Sequence, residues 1–330
     1  MGKIIIFNVP AEKLGALSIL NRVYNEAIND LENEYVFVLS GNYLKNEKNI
    51  KQIHLTWIKK SWFHRLFFDY FIAHKIIKKV KPDKIISYHN MIVKSNLDVK
   101  QTIYLHNAIP FADFNFSFIN DTKLWIYQKV IGRKIFSSIK KADEIVVQTE
   151  WLKRKILERF NIESKKIKIE NQENNFNAPK INNFLNYKES NIKYYIYPAA
   201  PFSYKNHKVI LEACKQLNEE QKKNINIKFT FKGDENKISM KIKKEIKSHN
   251  LPISLIGTIT QNEVMEYYLT HQLIFSSKLE TLGLPLLEAQ VTNTPIIYRS
   301  DELFEEILNS YDKKNSFESF LDLKKLLIKE

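Results

Sequence analysis

The stretch from Phe275 to Ala289, FSSKLETLGLPLLEA, holds the residues best suited to chemistry. A predicted strand ends there, and a loop with Glu280 and Gly283 leads into a predicted helix that carries Glu288. The backbone N–H groups of Gly283 and Leu284 at such a helix start would form an anion site. Two carboxylates so placed could bind neighbouring hydroxyls of one ligand, such as those of a sugar and a ribose. The alternative is structural, with Glu280 as an acid at a helix start and Glu288 as a solvated helical residue.

The elements that must position these residues alternate between strand-like and helix-like segments. In the first half, the apolar runs Lys3 to Asn8 (KIIIFN) and Tyr35 to Ser40 (YVFVLS) predict buried strands. The segments Ser18 to Leu31 and Phe63 to Val80 have the apolar spacing of helices. Because strands that alternate with helices need crossover connections, the pattern predicts a parallel sheet.

A polar segment separates this half from a second alternating half. Residues 161–191 are dense in Lys, Asn, Glu and Ser, as in a linker, and the alternation resumes at Tyr194 to Tyr197. We therefore predict an α/β protein with two Rossmann-like domains, residues 1–170 and 190–315. The final predicted helix, residues 316–330, is a candidate to pack back on the first domain. Open α/β sheets bind ligands outside the carboxyl ends of their strands, so the residues just after strands are the site candidates.

The amino-acid composition limits the number of domains, the compartment and the kinds of ligand. A chain of 330 residues with 44% hydrophobic residues can build two cores, at about 150 residues each. The single cysteine, Cys214, excludes an internal disulfide and fits a reducing compartment. No apolar stretch is long enough to span a bilayer, and a cytoplasmic protein is predicted. The formal charge of +14 suits phosphorylated ligands, anionic lipid or nucleic acid, and also fits a lysine-rich solvated surface.

Several motifs together resemble one known family. Residues Glu280 to Ala289, ETLGLPLLEA, resemble the signature E-x-F-G-L-P-x-x-E-A of family 4 of the retaining glycosyltransferases. The resemblance covers most of the chain and is strongest from Tyr197 to Ile307. Other stretches resemble the same family in the same order, namely Leu14 to Ser18 (LGALS), Tyr104 to His106 with Pro110 and Phe111, Ala142 to Trp151 (ADEIVVQTEW), Tyr197 to Ala213 (YPAAPFSYKNHKVILEA), Phe231 to Asn236 (FKGDEN) and Leu255 to Thr258 (LIGT).

The resemblance implies a GT-B fold, with two Rossmann-like domains facing across a cleft, the acceptor domain first and the nucleotide-sugar domain second. It implies that Glu280 contacts hydroxyls of the donor sugar and that Glu288 contacts the ribose. The N–H groups of Gly283 and Leu284 would hold the sugar or the diphosphate. Lys205 would neutralise the diphosphate as it leaves. A fixed cation and aimed N–H donors stabilise the negative charge that develops on that leaving group. The alternative for Lys205 is one more surface cation.

Three further positions take their roles from the same resemblance. His106, just past a first-domain strand, would hydrogen-bond the donor sugar or manage a proton near neutral pH, and the alternative is a partly buried structural histidine. Gly15, in the predicted loop after the first strand, would let the backbone approach the ligand rather than only form a turn. Thr258 is assigned to donor binding. Glu280, Lys205 and His106 are thus the predicted catalytic residues.

One feature departs from the family pattern. Many relatives carry an arginine a few residues before the lysine, as a second cation for the diphosphate. Phe202, Ser203 and Tyr204 occupy that stretch here. Lys208 or a residue from elsewhere in the chain would have to compensate, or the donor is held less tightly.

Other kinds of site find no support in the sequence. No histidine or carboxylate cluster has metal spacing, and neither G-x-S-x-G nor a P-loop motif occurs. We expect a nucleotide-diphosphate sugar as donor substrate and no metal or other cofactor.

The segment from residue 58 to residue 84 combines aromatic and basic residues. Such a mixture suits an anionic membrane surface or a lipid-linked acceptor. The alternative is a helix that faces the core and keeps its lysines in water. The prediction is peripheral contact at the inner face of the plasma membrane.

Taken together, the sequence predicts transfer of a sugar to a saccharide or lipid-linked saccharide in bacterial surface-polysaccharide assembly. A GT-B-fold epimerase of nucleotide sugars is one alternative, and it would need acid and base groups around the sugar. A basic nucleic-acid-binding or scaffold protein is the other, and it would show steeply salt-dependent binding. No nucleic-acid partner is expected.

Overall fold

The computed structural model describes residues 2–9, 14–170 and 191–329. The chain divides into two compact units, Met1–Glu170 and Asn171–Glu330. Each unit is a parallel sheet with helices, and the predicted α/β class is confirmed.

The first unit contains a seven-stranded sheet in the order β3-β2-β1-β4-β5-β6-β7, and every pairing between neighbouring strands is parallel. Its strands are β1 (Gly2–Phe7), β2 (Asn33–Leu39), β3 (Ile50–His54), β4 (Lys84–Ser87), β5 (Lys100–Tyr104), β6 (Glu144–Val147) and β7 (Ile167–Ile169). Its α-helices are α1 (Leu14–Asn29), α2 (Trp62–Phe67), α3 (Ala73–Val80), α4 (Thr122–Ile126), α5 (Gly132–Lys141) and α6 (Glu150–Arg159). Both faces of this sheet are covered by a hydrophobic core. This explains why the sequences of β1 and β2 are continuous runs of apolar residues.

Two helical stretches of the first unit contain a π-helical segment. Residues Phe68–Ile72 connect α2 to α3, and residues Tyr127–Ile131 connect α4 to α5. The predicted helix Phe63 to Val80 is therefore helical throughout, but one turn in its middle is a wider π-helical turn. Such bulges shift the faces that side chains occupy on either side of them.

The second unit contains a six-stranded parallel sheet in the order β10-β9-β8-β11-β12-β13. Its strands are β8 (Lys193–Tyr197), β9 (Ile225–Phe229), β10 (Ile253–Leu255), β11 (Gln272–Phe275), β12 (Ile296–Arg299) and β13 (Lys314–Phe317). Its α-helices are α7 (His207–Lys215), α8 (Glu219–Lys223), α9 (Lys237–Ser248), α10 (Gln261–Tyr268), α11 (Leu284–Val291), α12 (Glu302–Ile307) and α13 (Phe320–Ile328).

Two expectations about the elements need correction. The predicted linker contains β7, because Ile167 and Ile169 pair with Ile145 and Val147 of β6. The rest of that linker, residues 171–190, lies outside the described residues. Gly15 was expected in a loop, but it lies in the first turn of α1.

The C-terminal segment also differs from its prediction. Residues 314–317 form a strand, and only α13 is helical after them. Helix α13 packs on α7 of the second unit, with Leu323 and Leu327 fully buried, and Tyr195 Oη donates to the Leu327 carbonyl over 3.3 Å. Helix α13 thus uses its apolar face within its own unit, and packing of this helix on the first domain stays a prediction.

Candidate functional site

The strand order of the second sheet locates a ligand site. The chain runs outward from β8 to β9 and β10, and then returns to β11 on the other side of β8. Loops that leave neighbouring strands in opposite directions open a crevice at the carboxyl end of the sheet. Here these are the loop after Tyr197, the last residue of β8, and the loop after Phe275, the last residue of β11.

Side chains from the strand ends hold the Lys205 loop in place. The hydroxyls of Tyr197 and Ser276 both donate to the Lys205 carbonyl, over 2.7 and 3.1 Å. The backbone N–H of Lys278 donates to the Tyr204 carbonyl over 2.7 Å. These bonds join the two loops directly, so the position of Lys205 is set by residues more than 70 positions further along the chain.

Lys205 and Glu280 form an ion pair between these loops. The ammonium group of Lys205 contacts Oε1 of Glu280, and the two side chains are only 16% and 15% exposed. The Lys205 Nζ atom also lies 5.5 Å from the ring centre of Tyr204, and this ring stacks on Phe202. The structure therefore brings together two of the predicted catalytic residues, one from each loop.

Gly283 sets the direction of the helix that follows. Its φ of 63° is left-handed, and it lies directly before Leu284, the first residue of α11. A Cβ atom at this position would lie 3.2 Å from Ile307 Cδ1, so a larger residue would be both strained and crowded. The N–H groups of Gly283 and Leu284, at the start of α11, thus follow Glu280 by three and four residues. They lie at the end of the loop that the Glu280 carboxylate joins to Lys205.

Glu288, one of the residues predicted to bind donor, is buried on α11, with 7% of its surface exposed. Its carboxylate accepts hydrogen bonds from Gln261 Nε2 over 3.0 Å and from Tyr268 Oη over 3.4 Å. Burial raises the pKa of Glu288 to about 7, and the two hydrogen bonds oppose this rise. Glu288 is therefore not a solvated helical residue.

Helix α10 supplies both partners of Glu288. The helix begins with a capping box in which Thr260 Oγ1 accepts from the Glu263 N–H and Glu263 accepts from the Thr260 N–H. Gln261 and Tyr268 occupy the two ends of this helix. Sequence reasoning missed both residues, and the T-x-x-E start of the helix was the available signal.

Substitution of Glu288 by glutamine should change how stability depends on pH. The carboxyl group has a folded-state pKa above its unfolded value of 4.5, so its contribution to stability is full below pH 4.5 and is lost as pH rises through 7. Glutamine carries no charge to bury. We therefore expect the free energy of unfolding of Glu288→Gln, relative to that of the wild type, to rise between pH 5 and pH 8 by about 3 kcal/mol at most. Thermal melts at both pH values measure this, with exposed Glu266→Gln on α10 as the control. Parallel pH curves for the wild type and Glu288→Gln would contradict it.

Arg299 is a further residue that the sequence analysis missed. Its Nε donates to the Ser277 carbonyl over 2.9 Å, and its Nη2 pairs with Asp301. This guanidinium supports the loop between β11 and α11 from the end of β12. Lys208, named as a substitute for the absent family arginine, is exposed on the first turn of α7.

Thr258 lies apart from the Lys205–Glu280 pair. It is exposed in the loop after β10, at the edge of the sheet, and β9 and β8 separate β10 from β11. Its neighbour Gly257 has a φ of 83° and donates to the Phe231 carbonyl over 3.3 Å. Thr258 thus follows the carboxyl end of a strand, but that strand, β10, is three positions away in the sheet from β11, the strand that precedes Glu280.

The first unit has its own cluster at the equivalent point of its sheet, between β1 and β4. The N–H of Val9, after β1, donates to His89 Nε2 over 3.2 Å. Asn90, after β4, accepts from the His106 N–H over 2.8 Å, and its Nδ2 lies 3.3 Å from His106 Nε2. Nε2 therefore accepts, and the neutral His106 ring carries its proton on Nδ1.

Burial changes what His106 can do. Desolvation lowers the pKa of His106 to about 4, so the ring is neutral near pH 7. A neutral ring suits hydrogen bonding, one of the two predicted roles, and proton transfer by His106 stays a prediction. Residues 88–90 directly follow β4, so the rule that selected His106 after β5 also applied to Asn90.

Metal clusters and membrane-spanning helices are both absent from the described parts of the chain. Within residues 2–9, 14–170 and 191–329, no group of three or more His, Cys, Asp or Glu side chains could hold a metal ion. Over the same residues, no helix combines the length and apolar composition needed to cross a bilayer.

Similarity to known proteins agrees with this geometry. Residues 181–327 match the family model for Glycosyl transferases group 1. The chain is 22% identical over 250 residues to the O-antigen chain mannosyltransferase RfbU of Salmonella typhimurium, a match that covers 74% of this chain and 64% of that protein. The chain thus spans somewhat less than two thirds of this curated relative.

Solved structures resemble the whole chain. WaaG, a glycosyltransferase involved in lipopolysaccharide biosynthesis, superposes with a TM-score of 0.66 at 11% identity, over 98% of this chain and 90% of WaaG. HepE from Anabaena, in complex with UDP-glucose, superposes with a TM-score of 0.63 at 10% identity, over 99% of this chain and 89% of HepE. The chain has the GT-B fold. Together, the family match of the second unit and this fold support a GT-B glycosyltransferase.

Proposed function

We propose that this protein transfers a sugar from a nucleoside diphosphate to a saccharide or lipid-linked saccharide acceptor, with retention, in the bacterial cytoplasm during surface-polysaccharide assembly. The observation that carries the proposal is the Lys205–Glu280 pair at the crevice of the second sheet, inside the region that matches Glycosyl transferases group 1. Further support comes from relatives that are described as an O-antigen mannosyltransferase and as a UDP-glucose complex.

In this proposal, Lys205 supplies the positive charge that the leaving diphosphate requires. Breakage of the C–O bond moves an electron pair onto the diphosphate oxygen, and a largely buried cation stabilises that charge more than a solvated one would. The tether of the Lys205 carbonyl to Tyr197 and Ser276 fixes the loop before the donor arrives. Little reorganisation is then needed during the reaction.

The carboxylates divide the recognition of the donor between them. Glu280 accepts hydrogen bonds from hydroxyls of the sugar, and Glu288 accepts from the ribose. The N–H groups of Gly283 and Leu284 bind the sugar or the diphosphate, because the start of α11 attracts negative charge. Thr258, in the loop after β10, and Gly15, in the first turn of α1, also contribute to donor binding.

In the first unit, His106 acts as a neutral hydrogen-bonding group toward the donor sugar, held by Asn90. Retention requires no enzyme base on the opposite face of the sugar, since donor and acceptor can react on one face. Positive charge for the reaction comes from Lys205 and the helix dipole, and we assign no metal.

A screen of nucleotides by thermal shift tests this function. UDP, GDP, dTDP and CMP, each also as a nucleotide sugar, are added to the full chain. A ligand present at 100 times its Kd stabilises the folded form by about 2.7 kcal/mol, which raises Tm by several degrees. We expect one diphosphate nucleotide to do so. Indifference to all of them, together with salt-dependent binding to DNA or RNA, would instead indicate the nucleic-acid alternative.

With the donor identified, release of the free nucleotide distinguishes the two enzymatic functions. Sugar transfer releases one nucleoside diphosphate per sugar and depends on the acceptor. An epimerase converts the nucleotide sugar without acceptor and keeps the nucleotide attached. The anomeric proton coupling of the product, measured by NMR, shows whether the configuration is retained.

A further inference from the structure

The helical segment from Trp62 to Val80 carries aromatic side chains that face solvent. Phe63 is 81% exposed, Phe67 51%, Tyr70 46% and Phe71 56%. Their spacing of four and then three to four residues places them along one side of α2 and the π-helical segment. The rings of Phe67 and Phe71 lie 5.3 Å apart, and we call the surface of these four side chains the aromatic face.

The opposite side of the same segment explains why the aromatic face is presented rigidly. Phe68, Ala73 and Ile77 are fully buried in a core cluster of the first unit together with residues of β1, β2 and β4. The segment is therefore anchored by its inner side, and the aromatic residues are not needed for the core. Exposure of this much aromatic surface on a fixed element is typical of an interaction site.

The charges around the aromatic face are almost all positive. Between residues 58 and 81 the sequence has seven basic residues and one acid, Asp69. Asp69 pairs with Arg65 at 3.1 Å, so these two charges offset one another and the net positive charge of the segment comes from its lysines. The exposed lysines of the segment lie before α2 and on and after α3, namely Lys60, Lys75, Lys78, Lys79 and Lys81.

A second element extends the positive rim. Lys134, at the start of α5, donates to Tyr70 Oη over 3.0 Å, and its ammonium lies 4.9 Å from the centre of the Tyr70 ring. Arg133 beside it is exposed. The aromatic face is thus bordered by cations from its own segment and from α5.

We propose that the aromatic face and its cationic rim dock the protein on an anionic lipid bilayer. Phenylalanine and tyrosine rings insert at the boundary between headgroups and acyl chains, while the lysines remain among the phosphate groups. A protein partner would have to match both an aromatic ridge and a broad ring of like charge, whereas an anionic bilayer matches both without a specific shape. This docking does not depend on the donor chemistry of the second unit.

Cosedimentation of the full chain with vesicles tests the proposal, without nucleotide or acceptor. The vesicles contain phosphatidylcholine alone or phosphatidylcholine mixed with phosphatidylglycerol. We expect binding to the mixed vesicles only, weakened by added salt because the lysine contribution is screened. The variant Phe63→Ser/Phe67→Ser/Phe71→Ser should lower the partition coefficient at least about tenfold, because it removes most of the insertable apolar area.

A charge variant and its matched control separate local from overall charge. Lys75→Glu/Lys78→Glu/Lys79→Glu should lose at least about tenfold in partition coefficient, at about tenfold per 1.4 kcal/mol and about 1 kcal/mol for each lysine near the surface. Lys241→Glu/Lys244→Glu/Lys247→Glu on α9 changes the net charge equally at exposed positions and should bind as the wild type does. Equal losses in the two triple variants would overturn the proposal. So would absence of wild-type binding, or a wild-type dimer that the phenylalanine substitutions dissociate without any vesicle binding.

Discussion

Replacement of Glu280 by alanine is expected to lower turnover by about 100- to 1000-fold, the range found when a positioned polar group is removed from a transition state. The carboxylate has two functions in the proposed reaction. It accepts hydrogen bonds from sugar hydroxyls, and it contacts the ammonium group of Lys205 within a largely buried pair. Without it, Lys205 loses the partner that fixes its position, so both the sugar and the leaving group are held less well. Initial-rate kinetics with the donor found in the nucleotide screen measures the effect.

The distribution of that loss between kcat and KM identifies its cause. A group that acts mainly in the transition state lowers kcat and kcat/KM together, whereas one that binds donor uniformly raises KM alone. Glu280→Gln keeps the size and one acceptor oxygen but not the charge, and we expect an intermediate loss. Glu220→Ala, at an exposed position of α8, is the matched control and should leave turnover unchanged. A Glu280→Ala enzyme with wild-type kcat would contradict a catalytic role for this carboxylate.

Sequence patterns predicted much of this fold because the buried strands of a parallel sheet consist of continuous runs of apolar residues. The segment IIIF in β1 and the segment YVFV in β2 have their side chains covered on both faces of one sheet. The same logic predicted Glu280 and agrees with the position of Lys205, to which the family resemblance pointed. Each follows a strand, and the carboxyl ends of parallel strands lie along one edge of the sheet.

Contacts between residues distant in the sequence were not predictable in the same way. Glu288 is buried because Gln261 and Tyr268 of α10 pack on it, 27 and 20 positions earlier in the chain. A helix with a polar residue looks the same in sequence whether a neighbouring helix covers that residue or not. The pairing of His106 with Asn90, 16 residues apart, has the same origin.

Two local features also escaped prediction for physical reasons. Strand β7 has only three residues, IKI, and takes its stability from pairing with β6 rather than from its own composition. The π-helical segment Phe68–Ile72 has no sequence signature comparable with proline in a kink. The aromatic face it helps to form was nonetheless indicated by composition, since aromatic and basic residues were already seen to mix there.

Replacement of Lys205 by alanine is expected to abolish most of the thermal stabilisation by the nucleoside diphosphate and to lower kcat about 100-fold or more. The lysine is the cation that the structure fixes beside Glu280, and its removal leaves a largely buried carboxylate without this partner. That loss should destabilise the unliganded protein by about 1–3 kcal/mol. The ligand effect must therefore be taken as the Tm shift of each variant from its own unliganded form.

Two further variants show whether position or charge matters at residue 205. Lys208→Ala removes an equal charge three residues away, at an exposed position, and should retain the nucleotide shift unless Lys208 replaces the arginine of the family pattern. Lys205→Arg keeps the charge but changes its geometry. We expect this variant to retain nucleotide binding better than it retains kcat, because a guanidinium cannot occupy the ammonium position against Glu280. The double variant Lys205→Ala/Glu280→Ala should be little worse in kcat than either single one, because each single substitution already disrupts the same pair. Losses that simply multiply would mean that the two residues act independently, and the contact seen between them would then have no part in the reaction.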